Sequence, residues 1–240
     1  DTVDTTDTSA TTTETTTENT TETTTEMTTT ETTTEETTTE TTTEETTTEQ
    51  PKVEEPTIPK SIKILAIGNS FSDDATEHLF GILKDAGVEE VIIGNLYIGG
   101  CSIDTHWNNM KNDSAAYEFR YYNNQADRTN TKRSISYALA LHEWDYITIQ
   151  QVSQNSGQPT TLGNLQNALD YINQKKTNEN AKIYWHSTWA YQQNSTHSSF
   201  PTYGSNQMKM YEAIVNTVNQ EAPKVGIKLI IPSGTAVQNA

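Results

Sequence analysis

A serine hydroxyl becomes a nucleophile when one group takes its proton and others hold the negative charge that its attack creates. Ser70 stands in the loop Gly68-Asn-Ser-Phe-Ser72, between an apolar run and an amphipathic stretch. A helix starting there offers free N–H groups and the positive end of its dipole to an oxyanion. Serine at such a place also caps helices. Ser72 or Asp73 can fill that role, which leaves Ser70 without a structural duty. A second loop, Asn95-Leu-Tyr-Ile-Gly-Gly-Cys-Ser102, brings Gly99 and Gly100 to another strand end, where glycine either makes an ordinary turn or lets a backbone N–H approach a ligand. The third, Gln150-Gln-Val-Ser-Gln-Asn-Ser-Gly157, is dense in amides, and Gln154, Gln151 and Asn155 are each potential donors to an oxyanion.

The proton acceptor is harder to find. His186, between Trp185 and Trp189, is the best internal candidate for the base, with His106 and His197 behind it. A base must reach the hydroxyl within hydrogen-bond distance, and His186 equally suits substrate binding or a structural hydrogen bond. Around these loops stand Tyr97, Trp107, Trp185, Trp189 and Tyr191. Flat aromatic faces with a polar edge stack on sugar rings or cover the ends of a sheet. Asn69, Trp107, His186, Trp189 and Tyr191 are the expected substrate contacts. With one cysteine, Cys101, there is no intrachain disulfide and no multi-cysteine zinc site, and the scattered His186, His197 and Asp104 predict no metal shell. No cofactor is expected.

The elements that would carry these loops alternate. Ile62–Ile67 is a short apolar run of the kind covered on both faces, and Asp73–Ala86 repeats apolar residues (Ala75, Leu79, Ile82, Leu83, Ala86) at helical spacing up to a Gly87 cap. Strands are predicted at Val91–Ile98, Asp145–Ile149, Ala181–Trp185 and Gly226–Ile231. Helices are predicted near Lys132–His142, Leu162–Lys175 and Tyr203–Glu221, with 107–131 as a polar excursion. Five alternations predict a three-layer α/β/α sandwich around a five-stranded parallel sheet. Ligands of such sheets bind beyond the carboxyl ends of the strands, which is where all three loops fall.

Composition divides the chain at about residue 59. Residues 1–59 hold 16 of the 32 acidic residues and one of the 15 basic ones, and 30 of the first 50 residues are Thr. Without an apolar stripe, and with like charges recurring every four or five residues, this segment is expected to be a disordered linker or stalk. The domain is then 60–240, with nearly balanced charge and so no basic footprint for nucleic acid. No apolar run is long enough for membrane insertion. The chain opens on Asp1, as either a processed signal peptide or a partial sequence would.

Taken together, Gly68-Asn-Ser70, the turn at 99–100 and the strand with its amide loop at 145–157 resemble the first three blocks of the SGNH (GDSL-type) hydrolases. More narrowly, Gly-Asn-Ser-Phe-Ser, Ile-Gly-Gly-Cys-Ser, Ile-Gln-Gln-Val-Ser, Trp185-His-Ser-Thr-Trp-Ala-Tyr191 and Ile231-Pro-Ser-Gly-Thr235 resemble a bacterial branch catalogued as a domain of unknown function. The resemblance implies a flavodoxin-like fold, Ser70 as nucleophile, and Ser70, Gly100 and Gln154 as oxyanion donors, with Gly99, Gln151 and Asn155 as alternatives. It also implies a base in an Asp-x-x-His block, and no such spacing follows Ile231. The expectation is therefore a domain lacking that block and its last helix, inactive or weakly active as it stands. The activity expected of the family is that of a secreted or cell-surface serine esterase acting on an acylated carbohydrate or other small ester. The other reading is a non-catalytic carbohydrate-binding or surface-display module.

Overall fold

Two apolar strands, Ser61–Gly68 (β1) and Glu90–Tyr97 (β2), pair in parallel along their whole lengths, from Ser61 with Glu90 to Gly68 with Tyr97. They form the centre of a computed structural model that describes residues 57–240. The reading of 1–59 as a disordered stalk lies outside the described residues, apart from its last three. Tyr146–Ile149 (β5), Lys182–His186 (β6) and Leu229–Ile231 (β7) extend the sheet from the other edge of β1, all parallel. These are the five predicted strands, and the order β2-β1-β5-β6-β7 is the doubly wound one.

The predicted excursion is instead structured. Ile103–Lys111 is a helix (α3), and Tyr117–Asn123 (β3) and Thr129–Arg133 (β4) form a hairpin that adds two antiparallel strands beyond β2. The sheet thus has seven strands, in the order β4-β3-β2-β1-β5-β6-β7. The signal was a period of two, with Tyr117, Phe119 and Tyr121 facing the main core, masked by the polar residues between them.

The predicted Asp73–Ala86 helix is two helices, Ser70–Glu77 (α1) and Leu79–Asp85 (α2), separated at His78. The break resets the helical phase. Leu79, Phe80 and Leu83 pack on Val88, Val91, Ile93 and Tyr122, whereas Ile82, expected inward, is 61% exposed. Gly87 ends α2 at φ +94° with Val88 N–H returning to the Leu83 carbonyl, as its cap role requires. Ile135–Leu141 (α4) and Leu165–Lys175 (α5) lie with α3 on the opposite face, where Gln207–Glu221 (α6) joins the same core. Ser233–Gln238 (α7) follows β7. Among the described residues no helix is long and apolar enough to cross a membrane.

The two faces are covered unequally. Leu65, Ile67, Ile147, Ile149 and Trp185 bury into the α3–α6 core. Their alternating neighbours Ile64, Ala66, Tyr146, Thr148, Tyr184 and His186 line an open groove of about 500 Å³ beside α1.

Two glycines test this packing from opposite sides. A Cβ on Gly94 of β2 would sit 2.7 Å from the Phe119 ring and 3.1 Å from Leu65, whereas one on Gly81 of α2 meets nothing within 4 Å. Gly94→Ala should therefore destabilise by about 1–3 kcal/mol. Gly81→Ala should stabilise by ~0.5–1 kcal/mol, because the exposed helical site loses only chain entropy. Urea unfolding of the two variants checks both signs.

Candidate active site

Strand β1 can end beneath α1 only because residue 68 is glycine. A Cβ there would lie 2.7 Å from Ser72 Oγ and 2.8 Å from Gln150 Cδ. The next residue, Asn69, caps α1: its extended backbone turns the chain, and its side-chain oxygen accepts the Phe71 N–H at 3.2 Å. The cap is thus neither Ser72 nor Asp73. Ser72 is buried and bonds instead to the Asn69 carbonyl (2.8 Å) and Asn95 Oδ1 (2.9 Å). Ser70, the first residue of the helix, is exposed, and its hydroxyl makes no hydrogen bond among the described residues.

The glycine turn is fastened to this loop from both ends. Ile98 N–H donates to the Gly68 carbonyl at 3.2 Å, and Asn69 Nδ2 donates to the Cys101 carbonyl at 3.0 Å. Gly100 adopts φ +64°, a left-handed conformation suited to glycine. Neither Ser70 N–H nor Gly100 N–H has an acceptor among the described residues. The exposed Ser70 hydroxyl and the glycine turn therefore belong to two loops that Asn69 and Ile98 fasten together. Gly99, the alternative donor, lies against the Tyr97 hydroxyl, 3.3 Å from where its Cβ would be.

The third loop divides by burial. Gln151 is fully committed: its oxygen accepts Ile103 N–H (3.1 Å) and Val152 N–H (2.8 Å), and its NH2 donates to Thr161 O and Oγ1. That removes it as an oxyanion donor. Gln154 is partly exposed, its oxygen taken by Ser153 at 3.3 Å and its carbonyl by Tyr203 OH at 2.8 Å. Asn155 uses its carbonyl for Gln158 N–H and Thr161 Oγ1, at 2.9 and 3.0 Å. No hydrogen bond ties either residue to the Ser70 loop. The residue that does reach it is Gln150, donating to Asn69 Oδ1 at 2.5 Å. Gln150 opens the predicted third loop but was not singled out there, because its partner Asn69 lies 81 residues away in the sequence.

The expected substrate contacts separate likewise. Asn69 is 1% exposed with both ends of its amide occupied, so it sits behind the site rather than in it. His186 is also buried, held between Gln150 (2.7 Å from Nδ1) and Ser233 (3.0 Å from Nε2), and has no nitrogen left for Ser70 or a ligand. Trp189 packs edge-on to Phe71 at 4.2 Å, next to the serine. Tyr191 stands farther along that wall, its hydroxyl 2.9 Å from Ser153 Oγ. Trp107 belongs elsewhere, in an open cavity shared with Asn167, Asp170, Tyr171 and Gln174. The first turn of α1 also carries an ion-pair cluster that the sequence did not suggest. Asp73 pairs with Arg120 and Arg128, and the Arg120 guanidinium lies 3.8 Å over the Tyr97 ring.

None of the five histidines hydrogen-bonds Ser70. His106 is buried below the glycine turn, 2.9 Å from Tyr117 OH and 3.5 Å from Cys101 Sγ. Burial pulls His106 down to about 3 and pushes the Cys101 thiol up to about 12, so both are uncharged at neutral pH. His197 packs on Tyr191, His142 bonds Tyr121 OH, and His78 is exposed at the α1–α2 junction.

The model of a family described as "Domain of unknown function (DUF4886)" matches residues 63–240. The crystal structure of a DUF4886 family protein from Bacteroides uniformis is 45% identical over 75% of this chain and 70% of its own, with a TM-score of 0.71. A structure named TesA is 17% identical over 69% of this chain and 76% of its own, at a TM-score of 0.41. A family 3 carbohydrate esterase from Clostridium thermocellum is 16% identical over 71% and 77%, at 0.40. Superpositions as loose as the last two carry no weight for activity. No curated protein matches.

Two measurements test this geometry. Asn69→Ala removes a cap and two further buried bonds and should cost about 2–4 kcal/mol in urea unfolding. Burial of His186 lowers it from 6.5 to about 4. Between those values the unfolded chain binds the extra proton, so stability is full above pH 6.5 and falls as the pH drops towards 4. The loss from this group is about 3 kcal/mol, and unfolding curves from pH 7 to 4 should be correspondingly flatter for His186→Asn.

Proposed function

The chain belongs to the DUF4886 family, and from that premise we propose that it carries a serine hydrolase site with Ser70 as the nucleophile. One observation supports this above the others: an exposed, unbonded hydroxyl at the head of α1, beside a glycine turn that the buried Asn69 amide clamps to the same loop. In the reaction, Ser70 Oγ attacks an ester carbonyl carbon and its proton passes to a base. The carbonyl oxygen takes the negative charge and is held by the N–H groups of Ser70 and Gly100. Collapse expels the alcohol, which takes up the proton, and water then releases the acid from the serine. Gln154, or Asn155, is the third donor in this reading. The family resemblance gives the base as the histidine of an Asp-x-x-His block. None of the five histidines of this chain bonds to Ser70, so its turnover is expected to be slow.

The substrate class follows from the walls. Trp189 beside Phe71 and Tyr191 beyond it offer aromatic faces for a sugar ring, which suits an ester of a carbohydrate. The Thr/Glu-rich residues 1–59 suit a spacer outside the cell, consistent with a secreted or surface-attached enzyme. A second reading, which needs no base at Ser70, is a carbohydrate-binding or display module on the same fold.

A fluorophosphonate probe separates them. Intact-mass analysis should find one adduct on the wild-type chain, mapping to Ser70, and none on Ser70→Ala. Hydrolysis of p-nitrophenyl acetate and of acetylated xylan should fall with Ser70→Ala to the level of uncatalysed buffer. Glycan binding that survives Ser70→Ala, with no adduct on the wild type, establishes the module instead.

A further inference from the structure

Four hydrogen bonds, three of them buried, run in line from the start of α7 to the turn after β2, and their direction is dictated by groups that have no choice. The Phe71 N–H only donates and the Cys101 carbonyl only accepts, so Asn69 must turn Oδ1 to the first (3.2 Å) and Nδ2 to the second (3.0 Å). Gln150 must then present its NH2 to Asn69 Oδ1, at 2.5 Å. That leaves Gln150 Oε1 facing His186 Nδ1 at 2.7 Å, so this ring nitrogen carries the hydrogen. Burial keeps the ring neutral at pH 7, and Nε2 therefore accepts the Ser233 O–H at 3.0 Å. Asn69, Gln150 and His186 are 1, 0 and 3% exposed, so bulk water does not replace a lost member.

We propose that His186 is a positioning residue for Ser70, acting through Gln150 and Asn69 to hold the head of α1 against the turn at Gly100. It touches neither the nucleophile nor a substrate. Without its N–H, Gln150 Oε1 is left without a donor, and the amide is free to swing away from Asn69 Oδ1 to find one. Asn69 is then held only by the Phe71 N–H and the Cys101 carbonyl, and the spacing between hydroxyl and oxyanion donors loosens. The effect on reactivity rests on the hydrolase reading, whereas the polarity of the chain of bonds does not.

The test combines NMR on the ¹⁵N-labelled chain with the rate at which a fluorophosphonate modifies Ser70, for wild type, His186→Leu, His186→Asn and Gln150→Met. The wild-type spectrum should show the Nδ1–H tautomer of His186. His186→Leu should speed hydrogen exchange at Phe71 N–H, and slow Ser70 modification, by about tenfold or more. Asparagine keeps an N–H where Nδ1 was and should recover both to within about threefold of wild type, whatever its melting temperature. Gln150→Met retains His186 but has no group to donate to Asn69, and should behave like His186→Leu; it also serves if the leucine variant does not fold. An Nε2–H tautomer, unchanged Phe71 exchange in the leucine variant, or equal defects in the leucine and asparagine variants would overturn the proposal. A wild-type chain whose Ser70 resists the probe counts against the hydrolase reading alone, and tautomer and exchange then decide the role of His186.

Discussion

The candidate site depends on one buried carboxamide. Asn69 caps α1 through Phe71, clasps the turn after β2 through Cys101, and receives Gln150 from the end of β5. Three strand ends are thereby tied at one point, and none of these bonds has water as a ready substitute. A carboxylate in its place would accept from Phe71 and Gln150 but could not donate to the Cys101 carbonyl. The amide is therefore matched to what surrounds it: two donors on one side and a carbonyl on the other.

Everything that this junction holds stands at the carboxyl end of a parallel sheet, where strands end and helices begin. On one side the aromatic pair Phe71–Trp189 forms a wall. On the other the β3–β4 hairpin brings Arg120 and Arg128 to Asp73 in the first turn of α1. Charge there is balanced rather than free, since Arg120 also pairs with Glu118. The hairpin therefore braces α1 from outside while Asn69 braces it from within. His106 and Cys101, close below the turn, are both held uncharged by burial, which makes them packing and hydrogen-bonding groups rather than reactive ones.

The five parallel strands were legible because each is a short apolar run with punctuation at its ends, and Leu165, Leu169 and Ile172 of α5 follow the 3.6-residue period into the core. The β3–β4 hairpin was obscured because its outward positions carry Glu118, Arg120 and the polar residues of β4, so it reads as a loop unless the alternation is counted. The division of α1 from α2 at His78 has no proline or glycine to announce it. In the site, the position of Ser70 and the glycine turn followed from local pattern alone. The burial of Asn69, the committed amide of Gln151 and the place of Gln150 did not, because each depends on partners 32 to 81 residues away. Trp107 illustrates the converse: proximity in sequence to the glycine turn put it among the expected contacts, yet α3 carries it to a separate cavity with α5.

The most direct test of the nucleophile assignment is the crystal structure of the chain after reaction with a small phosphonate ester. The account requires phosphorus bonded to Ser70 Oγ, with one anionic oxygen about 2.7–3.1 Å from the N–H groups of both Ser70 and Gly100. Phosphorus on another side chain, or a Ser70 adduct whose anionic oxygens all point to solvent away from Gly100, would contradict it.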